Sequence, residues 1–489
     1  MADKPEVLDS EAVKKRSVAG VIALTSRTLF LQILTVVATF LLTVYLTPSE
    51  FGVFFVVSAV VNFLVYFSDI GLAAALIQKK GEVSDKDLTT TFTIQQLLVV
   101  TLVGGSLAAS SLVANFYNLT EGGLALLRAL IVAFFLSSLK TIPSVILERR
   151  LQFNKLVIPQ IIENIAFYGT AVYLAWQGKG VDSFTVAVLL RGVVGLVAMY
   201  AIQPWAPRFS VSKDSARHLL SFGVPFQANS FLALVKDDLL TAYVGKILPL
   251  TEVGFIGWAQ RWALMPLRFF SDSIIKVTFP AYSRLQHDKE KLKVAVEKSV
   301  FAVATVVFPS IVGLVAIAPT LVRTIPRYEK WQPALITLAL FGVNALWASL
   351  STTLTNTLNA TGHIKKSLQL MIMWTALTWI LTPLFILRIG FNGVALASAV
   401  VATTSIVTVY LVKRIVPIDV LPQITAPAFA TAIMGMSVYA LSPIAVESFA
   451  KLFLLVGGAG ILYGILMWVL TGWRLKQEFR IIREALRKP

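Results

Sequence analysis

Charged side chains are scarce in this sequence, and cysteine is absent. Only 14% of the 489 residues are charged, against about 25% in soluble globular domains. The lack of cysteine excludes disulfides, thiolate metal sites and a cysteine nucleophile. The three histidines are scattered without ligand spacing, so we expect no metal. Many apolar runs reach the roughly 20 residues that a spanning helix needs, which predicts an all-α polytopic membrane protein.

The apolar runs divide the chain into about fourteen predicted transmembrane helices. They lie at 21–46, 51–77, 88–116, 124–146, 157–176, 183–203, 219–247, 253–282, 299–322, 333–358, 367–388, 391–412, 420–443 and 452–472. With a cytoplasmic N-terminus, the inner segments hold 28 Lys and Arg and the outer loops hold 7. This asymmetry follows the positive-inside rule. It accounts for most of the net charge of +17, predicts that both termini are cytoplasmic, and argues against a nucleic-acid partner.

Two segments of the chain resemble each other at nearly the same offset, 202 residues for the first match and 203 for the second. LTPSEFGVF (46–54) precedes FSD at 67–69, and LPLTEVGFI (248–256) precedes FSD at 270–272. Each Glu-x-Gly begins an even-numbered span, six spans apart. This predicts two six-helix lobes related by a pseudo-twofold axis around a central cationic cavity. The predicted divisions are a cytoplasmic segment (1–18), an N-lobe (19–203), a linker (204–218), a C-lobe (219–412), two extra helices (420–472) and a basic amphipathic tail (473–489).

Charges inside the predicted spans mark the candidate site, because a charge at mid-bilayer costs about 2.5–3.5 kcal/mol on insertion scales. Arg261, Arg268 and Asp272 fall within about 20° of one face of span 8 at 100° per residue. Arginine suits phosphate because its planar fork binds two oxygens. For Lys140, Glu163 and Arg27, which lie about two turns deep, the sequence favours snorkelling to the interface and a cavity role equally. We therefore predict substrate contacts at Arg27, Arg191, Arg261 and Arg268, and field-tuning or ion coupling at Asp69, Lys236, Asp237, Asp238 and Asp272.

Several segments carry a family resemblance that is distributed over spans 1 to 12. YLTPSEFGVF (45–54) and FSDIGLAAALIQKK (67–80) resemble the N-terminal signature of the polysaccharide transporter family. Its members are Wzx-type O-antigen and exopolysaccharide flippases of the multidrug/oligosaccharidyl-lipid/polysaccharide exporter superfamily. ERRLQFNKL (148–156), FPAYSRLQHDKEKLK (279–293) and LNATGHIKKS (358–367) resemble loops of that family.

The resemblance implies a flippase in a bacterial-type cytoplasmic (inner) membrane. Its substrate would be an undecaprenyl-pyrophosphate-linked oligosaccharide, moved from the inner to the outer leaflet by alternating access. The resemblance implies no cofactor, with H⁺ or Na⁺ as the coupling ion, and a glycan polymerase or export machinery as partners.

Three alternatives remain open at this stage. A lipid II flippase would share the basic cavity and the fourteen spans. A multidrug antiporter usually has an acid in span 1, where this chain has Arg27 and no acid. A membrane glycan enzyme is disfavoured, because the loops are short and show no nucleophile–base pair, phosphate-binding glycine loop or metal cluster.

Overall fold

The computed structural model describes residues 10–79, 81–228, 231–445 and 448–487, and every regular element within these ranges is helical. There are twenty α-helices, a π-helical turn at Val235–Leu239 and a 3-10 turn at Glu329–Ala334 in this part of the chain. The helices are α1 (Ser10–Tyr45), α2 (Pro48–Asp69), α3 (Leu72–Gln78), α4 (Asp85–Ala108), α5 (Ser110–Phe116), α6 (Glu121–Ser138), α7 (Thr141–Arg149), α8 (Phe153–Trp176), α9 (Asp182–Ile202), α10 (Lys213–Ala228), α11 (Phe231–Leu234), α12 (Leu240–Ile247), α13 (Leu250–Leu285), α14 (Lys289–Thr324), α15 (Leu335–Ala360), α16 (Ile364–Ile389), α17 (Asn392–Thr403), α18 (Ile406–Lys413), α19 (Leu421–Ala445) and α20 (Phe449–Arg487).

Eleven helical segments in the described residues are long and apolar enough to cross a membrane. They coincide with eleven of the predicted spans. The other three, spans 5, 7 and 8, are also helical and correspond to α8, to α10–α12 with the π-helical turn, and to α13. All three contain charged residues, among them Glu163 in α8, Lys236 in the π-helical turn and Arg261 in α13. The prediction of an all-α multi-pass membrane protein is confirmed.

Several predicted spans contain a break that the sequence reading did not place. Helix α2 begins with a capping box, in which the Thr47 amide donates to Glu50 at 2.7 Å and Pro48 occupies the first turn. It ends where Ile70 and Gly71 adopt positive φ angles of 46° and 72°, and α3 completes the predicted span. Similar breaks separate α4 from α5, α6 from α7 and α17 from α18.

Prolines, by contrast, do not end the helices that contain them. Helices α8, α13, α14, α16 and α19 run past Pro159, Pro266, Pro309, Pro383 and Pro427. Neighbouring helices can re-satisfy the carbonyl that a proline leaves without a donor. Pro266 therefore leaves Arg261 and Arg268 on one continuous helix.

The chain divides into two compact units, residues 1–254 and 255–489. In the first unit α8 packs along α1 and α9, and α9 packs against α6. Phe54 of α2 stacks on Phe184 of α9, with 4.1 Å between ring centroids. A second apolar cluster is made from α3, α4, α7 and α10, and its buried members include Leu72, Leu76, Phe92, Ile142 and Leu219.

The second unit is organised around α14 and α15. Helix α14 packs along α15 and α19, and α17 lies between α15 and α16. Trp258 stacks on Trp331 with 5.3 Å between ring centroids, and its indole N–H donates to the Tyr328 hydroxyl at 3.1 Å. Helix α20 packs on α19, and the Tyr463 hydroxyl donates to the Thr305 carbonyl at 2.7 Å.

The first and last helices are longer than the predicted first and last spans. Helix α1 begins at Ser10, within the segment predicted to precede the first span. Helix α20 continues to Arg487 across one non-helical residue, Thr471. The tail predicted for 473–489 is therefore helical through Arg487, while its side chains lie outside the described residues.

The two repeated Glu-x-Gly segments contact each other reciprocally within the first unit. Gly52 lies near the start of α2, and Gly254 lies near the start of α13. A Cβ built on Gly52 would overlap the Leu250 carbonyl oxygen, and a Cβ built on Gly254 would overlap the Pro48 carbonyl oxygen. The offset between Gly52 and Gly254 equals the offset between Pro48 and Leu250. The contact therefore has the symmetry that the sequence repeat predicts, and both positions require glycine.

Candidate functional site

The residues predicted on span 8 lie on the single helix α13. Arg261 is half-buried and Arg268 is exposed. Both are placed on α13 at the spacing that the helical-phase argument assumed. The side chain of Asp272 lies outside the described residues, so its predicted role in field-tuning or ion coupling stays a prediction.

The predicted charges of span 7 occupy the π-helical turn. Lys236, Asp237 and Asp238 are consecutive in Val235–Leu239, and π-helical turns occur frequently at functional sites. The Lys236 ammonium lies 3.8 Å from an Asp237 carboxylate oxygen. The Asn62 side-chain amide, on α2, donates to Asp238 at 3.2 Å. The wider turn therefore places two adjacent carboxylates in different surroundings, Asp237 exposed and Asp238 half-buried.

Helix α2 also contacts the N-terminal part of predicted span 7. The Tyr66 hydroxyl donates to the Gln227 carbonyl, and the Gln227 side-chain amide donates to the Tyr66 carbonyl at 2.8 Å. Beyond them, a Cβ on Gly71 would overlap the backbone of Gly223. Asp69, predicted here as an ion-coupling residue, has its side chain outside the described residues.

Arg191 takes part in a charged cluster on α8, α9 and the break before α7, which we call the α8 triad (Lys140, Glu163 and Arg191). The Lys140 ammonium lies 2.5 Å from Glu163 Oε1, and Arg191 Nε lies 3.9 Å from Glu163 Oε2. The Arg191 guanidinium also lies over the Phe167 ring, 5.7 Å from its centroid. Glu163 is buried at 8% exposure.

The exposed side chain of Arg191 lies on the protein-facing side of α9. Arg191 is one turn from both Ala187 and Gly195, which are buried. A separate, apolar stripe of α9 is exposed as lipid-facing helices require, and it comprises Val186, Leu190, Val193 and Val197. The Arg191 side chain is nevertheless 47% exposed. Its charge is therefore open to solvent or ligand on a face of the helix that packs against protein.

Arg27 is half-buried on α1, the helix that packs along α8. Its Nε is buried and makes no hydrogen bond in the described part of the chain, and the same holds for Oε1 of Gln160 on α8. A buried guanidinium nitrogen without an acceptor costs free energy. The helices packed around α8 thus contribute three cations, Arg27, Lys140 and Arg191.

Several residues of this region were not among the predicted site residues. The sequence alone suits Lys140 and Glu163 equally to the interface and to a cavity, and it predicts no role for Asn62 and Gln227. A polar residue within an apolar run was the available signal. Its partner lies 23 to 176 positions away along the chain, so spacing within one helix could not identify it.

The fold of this multi-pass helical protein, which holds cations inside its spans, is similar to that of a solved lipid flippase structure. The solved structure of the lipid II flippase MurJ in an inward closed conformation is similar over 94% of this chain and 100% of that one, with a TM-score of 0.75 and 17% identity. This likeness shows the fold.

The chain belongs to the polysaccharide biosynthesis protein family, whose model matches residues 41–336. It is 24% identical over 273 residues to the succinoglycan biosynthesis transport protein ExoT of Rhizobium meliloti, covering 56% of this chain and 55% of that protein. It is 24% identical over 368 residues to the lipopolysaccharide biosynthesis protein WzxC of Escherichia coli, covering 75% and 73%. The resemblance drawn from the sequence motifs is confirmed.

Proposed function

We propose that this chain is a flippase that moves a polyprenyl-pyrophosphate-linked oligosaccharide from the inner to the outer leaflet. The family and the names of the relatives connect it with polysaccharide biosynthesis and with transport. One observation carries the proposal beyond them. Arg191 exposes a guanidinium on the protein-facing side of a membrane helix, where a phosphate-bearing head group would supply a second anion besides the Glu163 carboxylate.

The proposed mechanism is alternating access. The reciprocal contact at Gly52 and Gly254 supports it, because this contact brings the starts of two repeat-related helices together. We propose that the contact separates when the transporter opens to the outer side. We also propose H⁺ or Na⁺ coupling, supported by the half-buried Asp238 in the π-helical turn.

Translocation by the purified protein in liposomes tests the function. An undecaprenyl-pyrophosphate oligosaccharide is placed in the vesicles, and its exposure to an external glycosidase is measured over time. We expect wild type to accelerate the exposure, and Arg261→Ala and Arg268→Ala to slow it at least tenfold. Arg388→Ala, an exposed arginine at the end of α16, is the control and should equal wild type. Wild-type protein no faster than empty vesicles would refute the proposed function.

A lipid II flippase is the second candidate, favoured by the fold likeness to MurJ. The same vesicles loaded with lipid II distinguish the two. We expect slow or no transport of lipid II, since the family match is to polysaccharide biosynthesis proteins. Faster transport of lipid II than of the oligosaccharide substrate would favour this second candidate.

The same proposal has three further parts. The chain transports its substrate and does not catalyse a reaction. Both termini lie in the cytoplasm of a bacterial-type cell, and the chain cooperates with a glycan polymerase or export machinery. The relatives' names support transport and membrane-linked glycan synthesis. The 28 to 7 distribution of basic residues supports the orientation of the termini.

A further inference from the structure

The α8 triad holds more positive than negative charge. One carboxylate, Glu163, faces both Lys140 and Arg191, so the three side chains sum to +1. The triad lies on α8, on α9 and in the break before α7, inside the predicted membrane spans, where an unbalanced charge costs free energy unless water or a counter-ion reaches it. Because Lys140 is mostly buried and Arg191 is half exposed, an incoming anion would meet Arg191 first.

The surroundings of Glu163 are shaped to hold its side chain in one place. A Cβ on Gly195 would overlap the Glu163 side chain, so the glycine of α9 leaves the room that the carboxylate occupies. Phe167, one turn after Glu163 on α8, lies beneath the guanidinium of Arg191. Helix packing thereby limits where Glu163, and through it the two cations, can be.

We propose that Lys140 and Arg191 form one anion site and that its ligand is the phosphate group of the lipid-linked substrate. Glu163 is a positioning residue, which orients both cations without itself contacting the ligand. This inference rests on the proposed function, and it adds Lys140 and Glu163 to the residues that determine substrate binding.

The role of Glu163 separates this proposal from simple electrostatics. Glu163→Gln raises the summed charge of the triad by one, so attraction of an anion by charge alone would strengthen binding. If Glu163 positions the two cations, the same change weakens binding, because Lys140 and Arg191 lose their common anchor. The two explanations therefore predict opposite directions for one substitution.

Binding of undecaprenyl pyrophosphate, which carries no glycan, tests the site in phosphatidylcholine nanodiscs. We expect Arg191→Gln and Lys140→Gln to raise Kd at least tenfold and Glu163→Gln to raise it at least threefold. Glu163→Asp should recover part of the affinity. Unchanged affinity in Arg191→Gln, or tighter binding in Glu163→Gln, would overturn the proposal.

A double variant keeps the test independent of folding. Lys140→Gln combined with Glu163→Gln removes a buried ion pair without leaving either charge alone, so the protein should fold. We expect wild-type thermal stability within a few degrees but weakened binding of undecaprenyl pyrophosphate. Wild-type affinity in this double variant would show that the pair is only structural and would refute the site.

Two further probes identify the source of the phosphate. Undecaprenol, which lacks phosphate, should not bind measurably, and phosphatidylglycerol should compete at least tenfold less well than undecaprenyl pyrophosphate. Equal competition by phosphatidylglycerol would overturn the assignment to the substrate. The binding assay does not depend on transport. If the wild type binds undecaprenyl pyrophosphate more tightly than the other two lipids but does not translocate the oligosaccharide, the proposed flippase function is refuted and the proposed anion site still stands.

Discussion

At the scale of single residues, Arg149 shows how one side chain holds a loop. It ends α7 and donates to four backbone carbonyls, three of which share the two hydrogens of Nη1. The acceptors are Leu76 at 2.6 Å, Ile77 at 3.1 Å, Lys79 at 3.0 Å and Gly81 at 2.6 Å. The last carbonyls of α3 would otherwise have no intrahelical donor. Arg149 belongs to the segment ERRLQFNKL, and the structure explains the requirement for arginine there, since its fork presents several donors at fixed angles.

We expect Arg149→Ala to destabilise the protein by roughly 3 kcal/mol, because hydrogen bonds to charged groups contribute about 1.5–3 kcal/mol each without adding fully. Arg149→Lys should recover only part, since an ammonium cannot reproduce the fork. Thermal unfolding in detergent measures both. The neighbouring Arg150 is exposed, so Arg150→Ala is the control and should unfold like wild type. Equal effects at the two positions would contradict the structural role of Arg149.

At the scale of helices, the reciprocal contact of Gly52 and Gly254 joins the starts of α2 and α13. Both helices begin with a turn that contains a glutamate and a glycine two residues later. Because neither glycine has a Cβ, each backbone approaches the carbonyl oxygen at the start of the other helix. A contact of this kind closes by backbone packing and needs no ion pair, so it can separate at a modest free-energy cost.

We expect Gly52→Ala and Gly254→Ala to force the two helix starts apart, because the added Cβ has no space. The lack of native cysteine makes the change measurable. Leu250→Cys is labelled with a membrane-impermeant maleimide from outside, and its labelling rate should rise at least threefold when Gly52 becomes alanine. Gly104→Ala on α4, which has nothing within 4 Å of the new Cβ, should leave the rate unchanged. Equal rates in all variants would contradict the proposed opening.

The second prediction at the scale of helices concerns the π-helical turn. We expect Asp238→Asn to abolish the effect of an imposed H⁺ or Na⁺ gradient on translocation, because Asp238 is the half-buried carboxylate that Asn62 binds. Asp237→Asn alters an exposed carboxylate and serves as the matched control. Initial rates in liposomes with and without each gradient provide the measurement. A gradient response that survives in Asp238→Asn would exclude this residue from coupling.

At the scale of the whole molecule, the distribution of Lys and Arg predicts the orientation of the chain in the membrane. Both ends and the segments that hold most basic residues lie on the cytoplasmic side in this prediction. The helical segments agree with the predicted spans, including spans 5, 7 and 8, which carry charges. Two exposed lysines on opposite predicted sides, Lys179 and Lys213, allow the orientation to be tested.

We expect Lys179→Cys to react with an impermeant maleimide added to cells whose outer membrane has been permeabilised and whose cytoplasmic membrane is intact. Lys213→Cys should react only after the cytoplasmic membrane is permeabilised. The cysteine-free wild type is the background control. Labelling of Lys213→Cys before permeabilisation would reverse the predicted orientation.

Part of the candidate site could be predicted from the sequence, and part could not. Arg191 and the three charges of the π-helical turn were predicted as site residues because a charge within an apolar run costs free energy wherever it lies, and their roles stay predictions. Glu163 and Lys140 could not be assigned in the same way. Their proposed roles in the site depend on contacts between helices, and the residue pattern along one helix does not show which residues of other helices lie beside it.

The sequence by itself determined the membrane class, the number and approximate bounds of the spans, and the repeat. Hydropathy and charge act locally, through the transfer of each segment into lipid, so composition is sufficient for them. Only the tertiary structure decided where helices break, that Gly52 and Gly254 contact each other's starting turns, and that Glu163 holds two cations. These features depend on which surfaces meet, and residues far apart in the chain become neighbours only when the helices pack.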